Sequence, residues 1–109
     1  MNEPIGIVGL GLLGGAIADR LNQAGHELLG FDPRKPGNVP ATLCVNASEV
    51  FAKCPIVFLS LPTSDIASEV ADEVMETLRP GQAVLDTTTG APDAAMALAE
   101  RFQARGAHY

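Results

Sequence analysis

Apolar positions along this chain fall into two rhythms, short continuous runs and longer stretches at helical spacing. Ile5 to Val8 is a short apolar run and predicts a strand. From about Leu12 to Ala24 the apolar residues Leu13, Ala16, Ile17 and Leu21 recur at helical spacing and predict one buried helix face. Gly25 suits a left-handed helix end, and Leu28 to Phe31 reads as a second strand. Pro33, Pro36, Gly37 and Pro40 make residues 32–40 a loop. Thr42 to Val45 predicts a short third strand, and Asn46 or Ser48 caps a brief helix through Lys53. The longest apolar run, Pro55 to Leu61, reads as a central strand buried on both faces. Ser64 or Asp65 caps the next helix, whose Ile66, Val70, Val74 and Leu78 fall four apart until Pro80-Gly81 breaks it. Ala83 to Leu85 is a further strand ending on Asp86. A helix then runs from Pro92 to about Arg105, Gly106 caps it, and Ala107-His108-Tyr109 begins one more strand.

Strands alternating with helices over short links predict an α/β fold, a doubly wound parallel sheet with right-handed crossovers. Ligands of such sheets bind beyond the carboxyl ends of the strands, where the strand order reverses. That edge gathers four segments: Gly9–Gly14, Asp32, Leu61-Pro62-Thr63 and Thr87-Thr88-Thr89.

The first of them is Gly9-Leu10-Gly11-Leu12-Leu13-Gly14, a Gly-x-Gly-x-x-Gly string between a strand and a helix. Gly9 lets the chain turn off the strand, Gly11 lets a pyrophosphate approach the backbone, and Gly14 lets the helix pack closely. The free N–H groups and positive dipole end of the helix then face the phosphates. Asp32 follows Gly14 by 18 residues at the end of the second strand, placed for the adenosine ribose hydroxyls of NAD. A 2′-phosphate there meets like charge, so NAD is expected over NADP. Arg34 is the counterweight, since a guanidinium can clamp that phosphate; Pro33 fixes the turn and leaves Arg34 free to stack on adenine.

With 109 residues there is room for one domain, and 47% hydrophobic residues with mean hydropathy +0.18 exclude general disorder. A net charge of -6 and a pI near 4.6 leave no basic surface for nucleic acid. No apolar run reaches the ~18 residues of a membrane span, and Met1-Asn2-Glu3-Pro4 lacks the basic region of a signal peptide. A cytoplasmic protein is expected. Cys44 and Cys54 read as free thiols, with Cys44 packing as a small hydrophobe. His26 and His108 have no ligand-spaced partner, so no metal site is expected. The acids Glu69, Asp72, Glu73 and Glu76 read as a solvated helix face.

The chain resembles the N-terminal domain of the β-hydroxyacid dehydrogenases, the family of 3-hydroxyisobutyrate dehydrogenase and tartronate semialdehyde reductase. The resemblance rests on Gly9 to Gly14, Ala24-Gly25-His26, Leu61-Pro62-Thr63-Ser64, Asp86-Thr87-Thr88-Thr89 with Pro92, and Ala97-Leu98-Ala99 with Gly106. It implies a nicotinamide dinucleotide cofactor, NAD with NADP as the variant, held by Gly9 to Gly14, Asp32, Pro33, Arg34, Leu61, Pro62, Thr63 and Thr89. Leu61 and Pro62 lie by the nicotinamide ribose in the family, and Thr88 is implied as a substrate contact. Leu13 stands where the family usually has Met, and Arg20 where it often has Asn. The first 32 residues are equally similar to a prephenate dehydrogenase, but Thr87 to Pro92 lacks the Gly-Ser-Val-Lys that family tends to place there.

The resemblance also implies that residues 1–109 are the cofactor half, ending near the start of a sixth strand. The family's catalytic lysine and helical domain lie beyond, and Lys35 and Lys53 are not candidates for that role. The parent is then expected to be an NAD(P)-dependent dehydrogenase of a small hydroxyacid, homo-oligomeric, with these residues inactive alone and prone to self-association. The competing class is a nucleotide-binding module without catalysis. Threonines 87–89, at the nicotinamide end, favour the enzyme.

Overall fold

The computed structural model describes residues 3–34, 38–88, 90 and 92–109. In chain order it has β1 (Ile5–Val8), α1 (Leu12–Gln23), β2 (Leu28–Phe31), β3 (Thr42–Leu43), α2 (Ala47–Lys53), β4 (Ile56–Leu59), α3 (Ser64–Val74), β5 (Ala83–Asp86) and α4 (Pro92–Ala104). The strands are parallel in the order β3-β2-β1-β4-β5. His108 bridges Ala83 in parallel and extends the ladder past β5. The order reverses between β1 and β4, which places the ligand crevice above those two strands.

Successive strand residues point to opposite faces, and each face has its own core. On one face Val8, Leu29, Val57, Leu59 and Val84 pack against α2, α3 and α4 through Val50, Phe51, Ala67, Ala71, Leu98 and Phe102. The rings of Phe51, Phe102 and Tyr109 stack in series, with centroids 6.2 and 5.5 Å apart. On the other face Ile5, Ile7 and Leu28 pack against α1 through Ala18, with Ile17 and Leu21 at the margin.

Local chemistry sets the element ends. Asn46, not Ser48, caps α2, its side-chain oxygen accepting the Glu49 N–H at 2.8 Å. Ser48 instead binds Glu73 on α3, through its N–H to Oε2 and its hydroxyl to the carbonyl. Thr63 caps α3 by accepting the Ile66 N–H at 3.2 Å, one residue before the expected Ser64 or Asp65. Gly25, with φ 91°, ends α1 as expected, and Gly106, with φ 84°, follows α4.

Three expectations about faces need correction. In α1 the buried residues are Gly14 and Ala18, while Leu13 is 52% exposed and Ala16 is exposed. The first turn of α1 overhangs the carboxyl edge, so Leu13 has no strand beneath it. In α3 the buried stripe is Ala67, Ala71 and Val74, with Ile66 and Val70 half-buried, and the helix ends at Val74. Small residues let α3 lie close to its neighbours. The acids Glu69, Asp72, Glu73 and Glu76 are exposed, as expected of a solvated face, with Asp72 paired to Arg101 on α4 and Glu73 holding Ser48. Finally, β4 is buried on one face only. Val57 and Leu59 are covered, whereas Ile56 is 37% exposed and Phe58 half-buried, because no helix among the described residues crosses that part of the sheet.

Cys44 and Cys54 are free thiols. Burial pushes the Cys54 thiol up to about 11, and burial with the nearby Glu49 carboxylate raises Cys44, so both stay protonated at neutral pH. Among the described residues no group of three His, Cys, Asp or Glu is placed to hold a metal ion. No described helix is long and apolar enough to cross a membrane.

Candidate functional site

At the carboxyl edge each glycine of the turn has a different neighbourhood. Gly9 has φ 101°, and a Cβ on it would lie 2.1 Å from the Ser60 carbonyl oxygen. A Cβ on Gly14 would lie 1.9 Å from the Gly9 carbonyl oxygen. These two glycines are therefore demanded by the fold. Gly11 differs: among the described residues a Cβ there would meet only a terminal nitrogen of Arg34, at 3.4 Å. The space a side chain would fill there is a cradle at the helix start.

The start of α1 is electrostatically distinct from the other helix starts. Asn46 and Thr63 cap α2 and α3 with side-chain oxygens, and Glu49 and Asp65 add negative charge to their first turns. Gly11 gives α1 no side-chain cap, and its first turn holds no acid. The N–H groups of that turn keep their donor capacity and their share of the positive dipole end. Bare donors beside a Cβ-free cradle suit a diphosphate.

Asp32 is buried at the end of β2. Its Oδ2 accepts the Leu10 N–H at 2.7 Å and its Oδ1 the Arg34 N–H at 2.8 Å, so it fastens the glycine turn to the loop after β2. Arg34 Nε lies 3.6 Å from Oδ1. Pro33 is exposed in the turn between them.

Across the cleft, the loops after β4 and β5 are locked together. The Leu61 N–H donates to Thr88 Oγ1 at 3.1 Å, and the Thr88 N–H donates to Asp86 Oδ1 at 2.7 Å. The Thr87 hydroxyl donates to the Leu59 carbonyl at 2.9 Å. These threonines thus serve the β4 loop. Tyr109 donates its hydroxyl to Asp86 Oδ2. Burial, then this bond to Asp86, raises the phenol, which stays protonated.

The pieces meet in one cleft of about 210 Å³, where Gly11, Leu12, Leu13 and Arg34 face Ser60, Leu61, Pro62 and Thr87. Leu12 is almost fully exposed, Leu10 and Leu61 are buried, and Thr63 is exposed at the start of α3. Thr89 and Lys35 lie outside the described residues. Lys53 is paired with Glu49 at the far end of α2, beside the amino ends of the strands. Sequence reasoning passed over Ser60, which the end of β4 carries to the edge, and Tyr109, whose bond to Asp86 spans 23 residues.

The family model describing the NAD binding domain of 6-phosphogluconate dehydrogenase matches residues 4–109. The mitochondrial 3-hydroxyisobutyrate dehydrogenase of Drosophila melanogaster is 32% identical over 96% of this chain, which covers 34% of that protein. In fold, the chain matches the structure of Mycobacterium tuberculosis 3-hydroxyisobutyrate dehydrogenase with L-serine, at TM-score 0.88 and 24% identity over 99% of this chain and 39% of that one. It matches an imine reductase from Myxococcus stipitatus (V8 variant) in complex with NAD+ at TM-score 0.88 and 21% identity, over 100% of this chain and 40% of that one. The chain thus spans about a third of the length of its curated relatives, and the likeness falls on the hydroxyacid side of the two resemblances, as residues 87–92 indicated. By sequence and by fold, this chain belongs to the family of NAD-binding domains represented by that of 6-phosphogluconate dehydrogenase.

Proposed function

We propose that these residues are the cofactor half of an NAD(P)-dependent oxidoreductase that oxidises a small β-hydroxyacid, of the 3-hydroxyisobutyrate kind, or reduces its semialdehyde. The observation that carries the reading is the uncapped start of α1 opening into a cleft whose far wall is Leu61, Pro62 and Thr87. A dinucleotide is long enough to need both walls. Its diphosphate belongs at the N–H groups of Leu12, Leu13 and Gly14, its adenosine near Asp32, Pro33 and Arg34, and its nicotinamide end at Leu61 to Thr63 and Thr88.

When bound, the nicotinamide supplies hydride chemistry, and the protein contributes binding and orientation. Asp86 positions Thr88 through its N–H, and Thr88 holds Leu61, so one carboxylate fixes both loops at the nicotinamide end. Among the described residues the Thr88 hydroxyl donates to no partner, which suits it to a substrate oxygen. Proton delivery needs a group of suitable pKa within hydrogen-bond reach. Lys53 is remote and paired, and Tyr109 is held protonated by Asp86. The likeness to 3-hydroxyisobutyrate dehydrogenases, of which this chain covers about a third, supports a proton donor in the rest of a longer parent. Two free thiols fit a reducing compartment, the cytoplasm being our reading.

Calorimetric titration with NADH tests the binding. Gly11→Val should weaken NADH by about tenfold or more with an unchanged melting profile, because the new side chain fills the cradle. Equal affinity for both proteins would remove the turn from the site. NADH production with 3-hydroxyisobutyrate or glycerate should be undetectable for residues 1–109, and clear turnover would place the chemistry within them.

A further inference from the structure

Tyr109 joins the core of the domain to its cleft. The backbone beside it is paired to β5: the Val84 N–H donates to the His108 carbonyl at 2.7 Å, and the His108 N–H to the Gln82 carbonyl at 2.8 Å. Its ring stacks on Phe102, which stacks on the fully buried Phe51, with centroids 5.5 and 6.2 Å apart. Stacked rings in a packed core have little freedom, so the interior fixes the phenol oxygen. From there the hydroxyl donates to Asp86 Oδ2 at the carboxyl end of β5.

Asp86 passes that restraint on. Its other oxygen, Oδ1, accepts the Thr88 N–H at 2.7 Å, and Thr88 Oγ1 accepts the Leu61 N–H at 3.1 Å. The terminal torsion of a carboxylate is broad, so one hydrogen bond alone would let Asp86 swing about it. A donor on the second oxygen selects one orientation, and a bond to a charged carboxylate is stronger than one between neutral groups. Burial, then the bond to Asp86, raises the phenol, which therefore remains a donor at neutral pH. Thr87 is held separately, since its N–H and its hydroxyl both donate to the Leu59 carbonyl, at 2.7 and 2.9 Å. The end of β5 thus has its own bonds to β4, whereas the link from Thr88 to Leu61 depends on where Asp86 points.

We propose that the Tyr109 hydroxyl is a positioning group for the nicotinamide end of the cleft, acting through Asp86 and Thr88 on the Leu61 loop. The inference deepens the dinucleotide reading above and rests on it. In that reading the diphosphate and adenosine lie on the opposite wall, against the start of α1 and the end of β2. Loss of the hydroxyl should therefore be felt by the nicotinamide half of the ligand and not by the other half. A phenol that served only its own burial would affect both halves alike.

The test is calorimetric titration of NADH and of ADP-ribose, which lacks the nicotinamide, into wild type, Tyr109→Phe, Asp86→Ala and the double variant. The wild type should bind NADH more tightly than ADP-ribose by about fivefold or more. Tyr109→Phe keeps the ring stack and should weaken NADH by about fivefold and ADP-ribose by less than about twofold. In the Asp86→Ala background the same change should cost NADH less than about twofold, because the relay is already cut. The chain has one tyrosine and no tryptophan, so its tyrosine emission reports on Tyr109 alone. A carboxylate that accepts the phenol proton quenches that emission, and Asp86→Ala should brighten it. Unchanged emission overturns the bond and the inference. Equal losses of both ligands in Tyr109→Phe, no loss of NADH, or an undiminished loss in the Asp86→Ala background overturns the inference and leaves the dinucleotide reading standing. Equal affinity of the wild type for the two ligands does the same. Binding of neither ligand by the wild type overturns the dinucleotide reading itself, and this inference with it.

Discussion

Three glycines in one string carry different burdens, and the difference is measurable. A methyl group on Gly14 would have to displace the Gly9 carbonyl, a backbone atom fixed by the turn, whereas one on Gly11 meets, among the described residues, only the movable end of Arg34. Gly14→Ala should therefore cost about 2–4 kcal/mol of stability in urea denaturation, at or above the upper end of overpacking costs. Gly11→Ala should stay within about 1 kcal/mol, the scale of a changed helix cap. Equal losses at both positions would refute this division between fold and ligand. Spacing alone made the roles of Gly9 and Gly14 legible, since each follows from the geometry of a strand that turns into a helix. The fate of Leu13 was not legible. Its helical spacing matches Ile17 and Leu21, yet it lies in the turn that projects past the strand ends.

Between elements, the contact least visible in the sequence is Gln82. It precedes β5, is 3% exposed, and donates through Nε2 to the carbonyls of Phe51 and Cys54 at 2.7 and 2.6 Å. Its Oε1 accepts the Arg79 N–H at 3.1 Å. One amide thus satisfies backbone groups at the end of α2 and in the turn that leads into β5. Gln82→Leu keeps the volume and removes all three partners, leaving buried carbonyls unpaired. The expected loss is about 2–4 kcal/mol by urea denaturation, summed from the usual cost of unsatisfied buried groups. A loss below about 0.5 kcal/mol would mean that water reaches those carbonyls. Periodicity cannot reveal such a residue, because its partners lie 28 and 31 positions away. Caps were more legible: Asn46 was one of two candidates for α2, but Thr63 took α3 from its neighbours because its hydroxyl lies three residues before Ile66.

At the scale of the molecule, the order of strands and helices could be read from alternation, and so could the gathering of four segments at one edge. The coverage of the sheet could not. A continuous apolar run such as Pro55 to Leu61 reads as buried on both faces, but burial also depends on which helices cross it. Here α2, α3 and α4 cover one face, and α1 covers β1 and β2 on the other. The β4 and β5 half of that second face remains bare among the described residues: Ile56 and Leu85 are 37% and 44% exposed, and Phe58 is half-buried. An open hollow of about 640 Å³ adjoins them, bounded by Asp86, Thr87, His108 and Tyr109. Apolar residues grouped on a flat sheet favour association, because covering them removes that area from water. The occupant expected for a polypeptide of these 109 residues is a second copy, since the same face is present on every molecule. The net charge of -6 opposes this pairing and is screened by salt. Sedimentation should therefore show association that rises with protein concentration and strengthens between low and high ionic strength. Leu85→Glu places a charge at the centre of the face and should return the chain to monomer at every concentration. It should do so without lowering the melting temperature, because Leu85 points away from the covered core. A wild type that stays monomeric at high concentration and high salt would show that this face is too small, or too wet, to pair with itself.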